Sequence, residues 1–140
     1  MAKSKARAPA PIAKHNRTPV IVSTNGHSNE PINVITRDKA TGRRLERALT
    51  HHRENRLADA EQIYRDILSK QPDNPDALHF LGVIAHQTNR HQIAIDYMLK
   101  ALELAPPFAP IYHNLGMAYY ALGRITMAKN AFAKAIEIEP

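Results

Sequence analysis

The chain has no cysteine among its 140 residues, which excludes a disulfide framework, a thiolate zinc site and a cysteine nucleophile. Its five glycines form no glycine-rich phosphate loop, and no nucleophile elbow or paired-acid motif is present. We therefore expect no catalytic residue, no cofactor and no metal, in a fold that depends on packing alone.

Long apolar runs are also missing. No stretch approaches the roughly 18 apolar residues of a membrane span. The basic start at Lys3, Lys5 and Arg7 lacks the apolar core of a secretory signal after it. These two absences predict a cytoplasmic protein with no membrane partner.

The net charge of +6 lies on the first third of the chain, since residues 1–44 carry +7 and residues 45–140 carry −1. A basic excess confined to a tail argues against nucleic acid as the main ligand. Arg43, Arg44 and Arg47 form a local basic cluster with neighbouring histidines, but no aromatic side chain is interleaved for base stacking. Of the three hypotheses for its function considered below, a nucleic-acid partner bound through the tail is the least favoured.

Residues 1–40 mix alanine, serine and basic residues with four helix-interrupting prolines, which predicts a disordered tail. Two β-prone runs, residues 20–22 and 32–35, are too short for an independent sheet. From about Arg43 the sequence changes to alanine- and leucine-rich segments separated by turn signals. The spacing predicts six helices in an all-α domain over residues 41–140.

A regular repeat runs through this second part, with a constant interval from Ala60 to Ala94 and from Ala94 to Ala128. The same interval separates five further sets: Ala48, Gly82 and Gly116; Tyr64, Met98 and Phe132; Ile67, Ala101 and Ala135; Arg56, Arg90 and Arg124; Pro72, Pro106 and Pro140. Small residues at fixed places let paired helices approach closely, and proline ends the second helix of each pair. The repeats are predicted at about 41–74, 75–108 and 109–140, and Asn74, Pro75 and Asp76 read as a helix start.

These residues resemble the tetratricopeptide-repeat (TPR) family, whose helix-turn-helix unit has this period. The third repeat is the nearest to its pattern, with Tyr112, Gly116, Ala128 and Phe132 on family positions. The run from Ala48 to Gly82 is similar to the TPR segments of bacterial O-linked N-acetylglucosaminyltransferase-like and TPR-sulfotransferase proteins. The resemblance implies a right-handed solenoid of three repeats whose first helices line a concave groove.

Helical periodicity gives each first helix a core stripe and a second stripe that we expect to line the groove. In the second repeat, Leu78 and Leu81 fall on the core stripe. The predicted groove residues are Leu45, Leu49, His52, His79, Val83, His86, His113, Asn114, Met117 and Tyr120. The alternative is that Phe80, Ile84 and Met117 of the first helices only pack repeat on repeat.

The resemblance also suggests which ligands to exclude. TPR domains that grip chaperone carboxylates use basic residues and asparagine where this chain has Leu45, Leu49, Phe80 and Pro110, and only Asn114 is retained. Asn114 is likewise the only match to the asparagine ladder of the transferase arrays. The predicted ligand is an apolar or aromatic peptide, or a partner helix.

Eight histidines raise a metal hypothesis, but His79 and His86 lie about 10 Å apart along one helix, too far to share an ion. Only His79 with His113, stacked on neighbouring repeats, remains possible. A milder hypothesis is that protonation of these histidines near pH 6 weakens ligand binding.

The last repeat lacks the covering helix that usually ends such arrays, so Phe132, Ile136 and Ile138 are expected to be partly exposed. Self-association through this end, covering by the tail, or descent from a longer enzyme would each explain it. The leading hypothesis is that the chain is a non-catalytic protein-interaction module. The alternative is a detached substrate-recognition segment of a bacterial glycosyltransferase or sulfotransferase.

Overall fold

The computed structural model describes residues 20–22, 32–34 and 38–140. Residues 38–140 form six helices, as predicted: α1 Lys39–Arg53, α2 Leu57–Lys70, α3 Pro75–Gln87, α4 His91–Leu104, α5 Ala109–Ala121 and α6 Ile125–Ile138. Successive helices form three pairs, each a first helix followed by a second helix. The predicted tail falls almost wholly outside the described residues.

The two β-prone runs contain strands β1 (Val20–Val22) and β2 (Ile32–Val34). They pair antiparallel, with Ile21 opposite Asn33. This pairing differs from the expectation that the runs are too short for a sheet of their own, although a ladder of three residues per strand is marginal by itself.

The turn inside each helix pair has the same backbone geometry in all three repeats. A residue with positive φ follows the cap of the first helix: Asn55 (59°), Asn89 (61°) and Gly123 (71°). The arginine that follows donates its amide to a carbonyl five residues back in the first helix, as from Arg90 to Ala85 at 2.7 Å. This is a Schellman turn, and asparagine and glycine are the residues that best tolerate its left-handed position.

The start of α3 is capped as predicted. The Asn74 side chain accepts a hydrogen bond from the Ala77 amide at 3.0 Å, and Pro75 follows at the first helical position. Asn74 is fully buried and also donates to Gln71 at 3.0 Å. The cap therefore fixes the entry of α3 against the end of α2.

Small residues occupy the closest helix crossings. Ala60, Ala94 and Ala128 are at most 2% exposed, which confirms that the alanine repeat faces the core. A Cβ atom placed on Gly82 would lie 2.8 Å from the Met98 Cγ atom, so α3 and α4 could not approach as closely with a larger residue.

Each later first helix also packs on the preceding pair. One core cluster joins Leu45, Tyr64 and Ile67 of the first pair to residues of α3, and a second joins the α3–α4 pair to α5. The α3 residues in the first cluster are Ala77, Phe80, Leu81 and Ile84; the α5 residues in the second are Ile111, Leu115, Ala118 and Tyr119. The core is therefore continuous from repeat to repeat.

An ion pair adds to the first of these contacts. Two guanidinium nitrogens of Arg90 donate to the two carboxylate oxygens of Glu61, each at 3.0 Å. Arg90 lies in the turn after α3 and Glu61 lies on α2. The hydrogen bond from Arg90 lowers the pKa of the Glu61 carboxyl, and the bidentate geometry fixes α3 against α2.

In the part of the chain that the structure describes, no helix is both long and apolar enough to span a membrane.

The helix crossings generate the first prediction. We expect Gly82→Ala to lower the free energy of unfolding by about 1–2 kcal/mol, because overpacking against fully buried Met98 exceeds the gain in helix propensity. Gly116→Ala is the matched control and should cost less, since the Phe132 ring that it meets at 2.7 Å is only half-buried and can turn outward. Urea denaturation measures both. A Gly82→Ala variant as stable as wild type would contradict this account of the crossing.

Candidate peptide-binding surface

The ten residues predicted to line a groove lie on α1, α3 and α5, and the most exposed of them lie on α5. Leu45 and Leu49 of α1 are 0% and 5% exposed. His79 of α3 is 5% exposed, whereas Met117 and Tyr120 of α5 are 40% and 63% exposed. The accessible part of the predicted surface is therefore widest on α5.

Leu45 and Leu49 lie in the core, which corrects their placement on a ligand surface. Both belong to the cluster that contains Phe80 and Ile84 of α3. The reason is that α3 packs over this side of α1, and leucine at both places favours a dry contact there. These two leucines hold the first two repeats together.

Phe80 and Ile84 pack between the first two repeats, as the alternative interpretation predicted. Phe80 is 6% exposed and Ile84 is fully buried. The Phe80 ring stacks on Tyr64 of α2, with centroids 5.4 Å apart. An aromatic pair at this distance stabilises the contact between the repeats rather than presenting a face to a ligand.

His79 is buried between aromatic rings. Its ring stacks on Phe80 at 5.1 Å and meets the edge of Phe108 at 5.9 Å. The Asn114 amide nitrogen lies 3.2 Å from His79 Nε2 and can donate to it only when that nitrogen carries no proton. Burial, with a smaller effect of His52, lowers the pKa of His79 to about 4, so His79 is neutral near pH 7.

Two further histidines of the predicted surface are held by partners that the sequence analysis missed. His52 Nε2 lies 2.7 Å from the Gln87 amide oxygen, and His86 Nδ1 lies 3.0 Å from His91 Nδ1. Burial lowers the pKa of both His52 and His86. The Schellman turn after α3 brings His86 and His91 together, and the asparagine at its left-handed position was a sequence signal for that contact.

The remaining predicted residues are accessible. Val83 and Asn114 are half-buried, while His113, Met117 and Tyr120 are exposed. Because the Asn114 amide contacts His79, its orientation is fixed. The surface combines apolar and aromatic side chains with one oriented amide, and we define it as the α3–α5 face by Val83, Asn114, Met117 and Tyr120.

A small pocket lies beside this region, at the start of α3. It has a volume of about 80 Å³ and is lined by His79, Phe108, Ile111 and the prolines at 75, 106 and 107, among others. Phe108 was not predicted as a site residue, although it directly precedes α5 in the proline-rich connection that closes over His79. The pocket is a mostly apolar recess that shares His79 with the contact to Asn114.

The histidines do not assemble a metal centre among residues 38–140, where no group of three or more suitable side chains is found. The pair considered from sequence, His79 and His113, have different neighbours. His79 Nε2 contacts Asn114, whereas the His113 ring packs on Phe132 with centroids 5.6 Å apart. Their arrangement fits aromatic packing.

Comparison with known proteins gives consistent results. A family model described as tetratricopeptide repeat matches residues 45–107, and a second with the same description matches residues 109–140. A TPR repeat-containing protein of Pseudomonas aeruginosa is 30% identical over 95 residues, and human protein O-mannosyl-transferase TMTC3 is 34% identical over 88 residues. These matches cover 67% and 62% of the chain, which spans only 16% and 10% of the relatives' own lengths.

Solved structures agree with the fold. An O-GlcNAc transferase of Thermobaculum terrenum superposes with a TM-score of 0.71 at 29% identity, over 75% of this chain and 20% of that one. The second TPR domain of Spaghetti, bound to an HSP90 peptide, superposes with a TM-score of 0.68 at 16% identity, over 72% of this chain and 94% of that one. The second likeness concerns the fold alone.

The buried His79 generates a prediction of pH dependence. Its pKa is lower in the folded chain, at about 4, than the ordinary 6.5. The unfolded chain therefore takes up the proton first, and the stability present above pH 6.5 is lost as the pH falls toward 4. This residue alone should cost about 2 kcal/mol between pH 8 and pH 5.

Urea denaturation at the two pH values measures the loss. In a His79→Gln variant we expect the difference between pH 8 and pH 5 to shrink by about 2 kcal/mol. His113→Gln, at an exposed position, is the control and should keep the wild-type difference. An unchanged difference in the His79→Gln variant would show that His79 is not the group responsible.

Proposed function

The chain belongs to the tetratricopeptide-repeat family, and we propose that it is a non-catalytic interaction module that holds a peptide or a partner helix on its first helices. The observation that supports this most directly is the α3–α5 face, where Met117 and Tyr120 are 40% and 63% exposed beside the oriented Asn114 amide. Exposed apolar and aromatic side chains around a fixed polar group are typical of peptide recognition.

The chemistry of the face favours an apolar or aromatic ligand. Asn114 can bond one backbone group of a bound peptide, while Val83, Met117 and Tyr120 contact its side chains. Methionine adapts to different side-chain shapes, and tyrosine supplies a large contact area with few rotatable bonds. The ligand would therefore be recognised by its shape and its apolar area more than by its charge.

An acidic peptide end is a poor match. The solved Spaghetti domain carries an HSP90 peptide. In this chain Leu45 is fully buried, and Phe80 and Pro110 are also buried, at three of the positions where chaperone-binding members place polar or basic residues. No cation is therefore available at those positions to pair with a carboxylate.

Peptide selection tests the proposal. A random peptide library displayed on phage is selected on the wild-type chain, and the enriched peptides are measured by fluorescence anisotropy. We expect sequences rich in aromatic and aliphatic residues, with dissociation constants of about 1–100 µM. Val83→Asp and Tyr120→Asp should each weaken them by about tenfold or more, because a charge is placed in an apolar contact.

Leu99→Asp is the matched control, because Leu99 is exposed to the same degree as Met117 but lies on α4. It should leave the affinities unchanged. Two results would overturn the proposal: enrichment of peptides that depend on a C-terminal carboxylate, or equal affinity for wild type and Val83→Asp.

A second candidate is the substrate-recognition segment of a glycosyltransferase or sulfotransferase. It is favoured by the superposition on a bacterial O-GlcNAc transferase at 29% identity. A transferase domain encoded in the same reading frame or in an adjacent gene would support this function. Genomes of related organisms in which the TPR segment never occurs near a transferase would argue against it. In either case we propose a cytoplasmic location and no nucleic-acid ligand.

A further inference from the structure

A recess of about 220 Å³ lies between α5 and α6. We name it the α5–α6 pocket, and its lining includes Tyr112, Leu115 and Tyr119 of α5 with Met127, Ala131 and Lys134 of α6. The three α5 residues follow the spacing i, i+3, i+7, which places them on one side of the helix. None of the lining residues belongs to the α3–α5 face, so the pocket is a separate site.

The rim of this pocket lies on a side of the second helix that a following helix pair leaves accessible. Met127 and Lys134 stand one repeat after Ile93 and Lys100. Both earlier residues are exposed, although α5 and α6 follow them in the chain. The residue of α4 that packs with α5 is Met98, which is fully buried. The accessibility of the rim is therefore a property of the repeat itself.

The pocket lies where the second repeat has an aromatic ring. Ala131 stands one repeat after Tyr97, whose half-buried ring packs against both core clusters. Ala131 is 6% exposed and supplies only a methyl group at that place. Tyr112, which replaces Leu78, forms a wall of the pocket and does not fill it. The second repeat thus shows what fits the recess, namely a ring of the size of a tyrosine side chain.

The walls of the pocket also favour an aromatic ligand. Tyr112 and Tyr119 supply two rings, and aromatic rings pack well in offset or edge-to-face arrangements. Met127 adds a thioether, which makes favourable contacts with aromatic rings. Leu115 and Tyr119 are 3% and 7% exposed and belong to the core cluster, so the floor is in place before a ligand binds.

The charges at the rim favour a neutral ligand. Lys134 donates to the Glu137 carboxylate at 2.8 Å, so its ammonium group already has an anionic partner. The Asn130 amide also lines the pocket and can donate or accept a hydrogen bond without a charge. A phenol ring, with one hydroxyl group that donates and accepts, matches these groups better than an aromatic acid does.

We propose that the α5–α6 pocket binds the side chain of a tyrosine carried by a partner protein. A site for a free small molecule encloses most of its ligand, whereas Met127, Asn130 and Lys134 at this rim are exposed. The polypeptide that carries the ring can therefore pass over the rim while the ring contacts Leu115 and Ala131. The site is additional to the α3–α5 face, so the third repeat can hold two ligands on different sides.

The probe is N-acetyl-L-tyrosinamide, a tyrosine side chain between two peptide groups, titrated into the methyl-labelled full chain by NMR. We expect saturable shifts of the Leu115, Met127 and Ala131 methyl signals, with a dissociation constant of about 1 mM. The Met117 methyl signal, on the α3–α5 face, should not shift. N-acetyl-L-leucinamide is the matched ligand control and should bind about threefold more weakly or worse, because it lacks a ring.

Variants of the chain locate the site. Ala131→Tyr restores the ring of the second repeat, so it should weaken probe binding by about tenfold or more and raise the urea midpoint. Ala133→Tyr places the same side chain at an exposed position of α6 outside the pocket and should bind the probe like wild type. Met127→Glu, at the exposed rim, should weaken binding by about threefold or more. Val83→Asp should bind the probe like wild type, which separates this site from the α3–α5 face.

Three results would overturn the proposal. The first is no saturable shift up to about 20 mM probe, about twentyfold above the expected dissociation constant. The second is equal affinity of wild type and Ala131→Tyr, or of the tyrosine and leucine amides; if Ala131→Tyr does not fold, unchanged affinity of Met127→Glu has the same meaning. The third is p-cresol, the same ring without peptide groups, binding more than about tenfold more tightly than the amide, because a free small molecule would then be the occupant.

Discussion

The structure depends on one requirement: each first helix must pack on its own second helix and also cover the preceding pair. Helix α3 does both. It crosses α4 at Gly82, next to Met98, and its Leu81 and Ile84 side chains lie in the core cluster of the first pair. A helix with two buried sides has a narrow stripe left for solvent. That stripe determines how much of each repeat a ligand can reach, and it explains why Leu45 and Leu49 are inaccessible while Tyr120, on the third pair, is exposed.

The same requirement explains what sequence reasoning could and could not recover. The constant repeat interval predicts the helix pairs and their buried alanines, and the local sequence Asn74, Pro75, Asp76 predicts the cap, because each of these depends on contacts within one pair or one turn. The groove residues depend on which neighbour lies over a face. Periodicity places Leu45 and His79 on a stripe different from that of Leu78, but it does not say that α3 and Phe108 cover that stripe. The pairing of His52 with Gln87 was missed because it joins two helices through side chains with no repeat signature.

Polar side chains between the repeats make the packing specific as well as stable. His79 lies between Phe80 and Phe108 and is fixed by the Asn114 amide, and His52 meets Gln87 across α1 and α3. An apolar pair at either place could slide along the helix, whereas a buried ring with one hydrogen-bonded nitrogen has one good register. The cost is that burial lowers the pKa of both histidines. The contact from Asn114 is made only while His79 is neutral, whereas the Gln87 oxygen can accept from His52 in either protonation state. The residue that orients the α3–α5 face, Asn114, is thereby linked to the protonation state of the core beneath it.

The two ends of the array differ in chemistry: the first helix is basic where the last helix is apolar. Helix α1 carries Arg43, Arg47 and Thr50, all exposed, at the positions where the later first helices carry buried apolar residues. The other end exposes Ile125, Ile136 and the half-buried Phe132, together with Lys129 in place of the acidic Glu61. If both ends were apolar, the chain would stack on itself without limit, because a head-to-tail contact that does not close forms filaments. The arginines of α1 oppose that contact, because burying their guanidinium groups against the apolar side chains of α6 is costly.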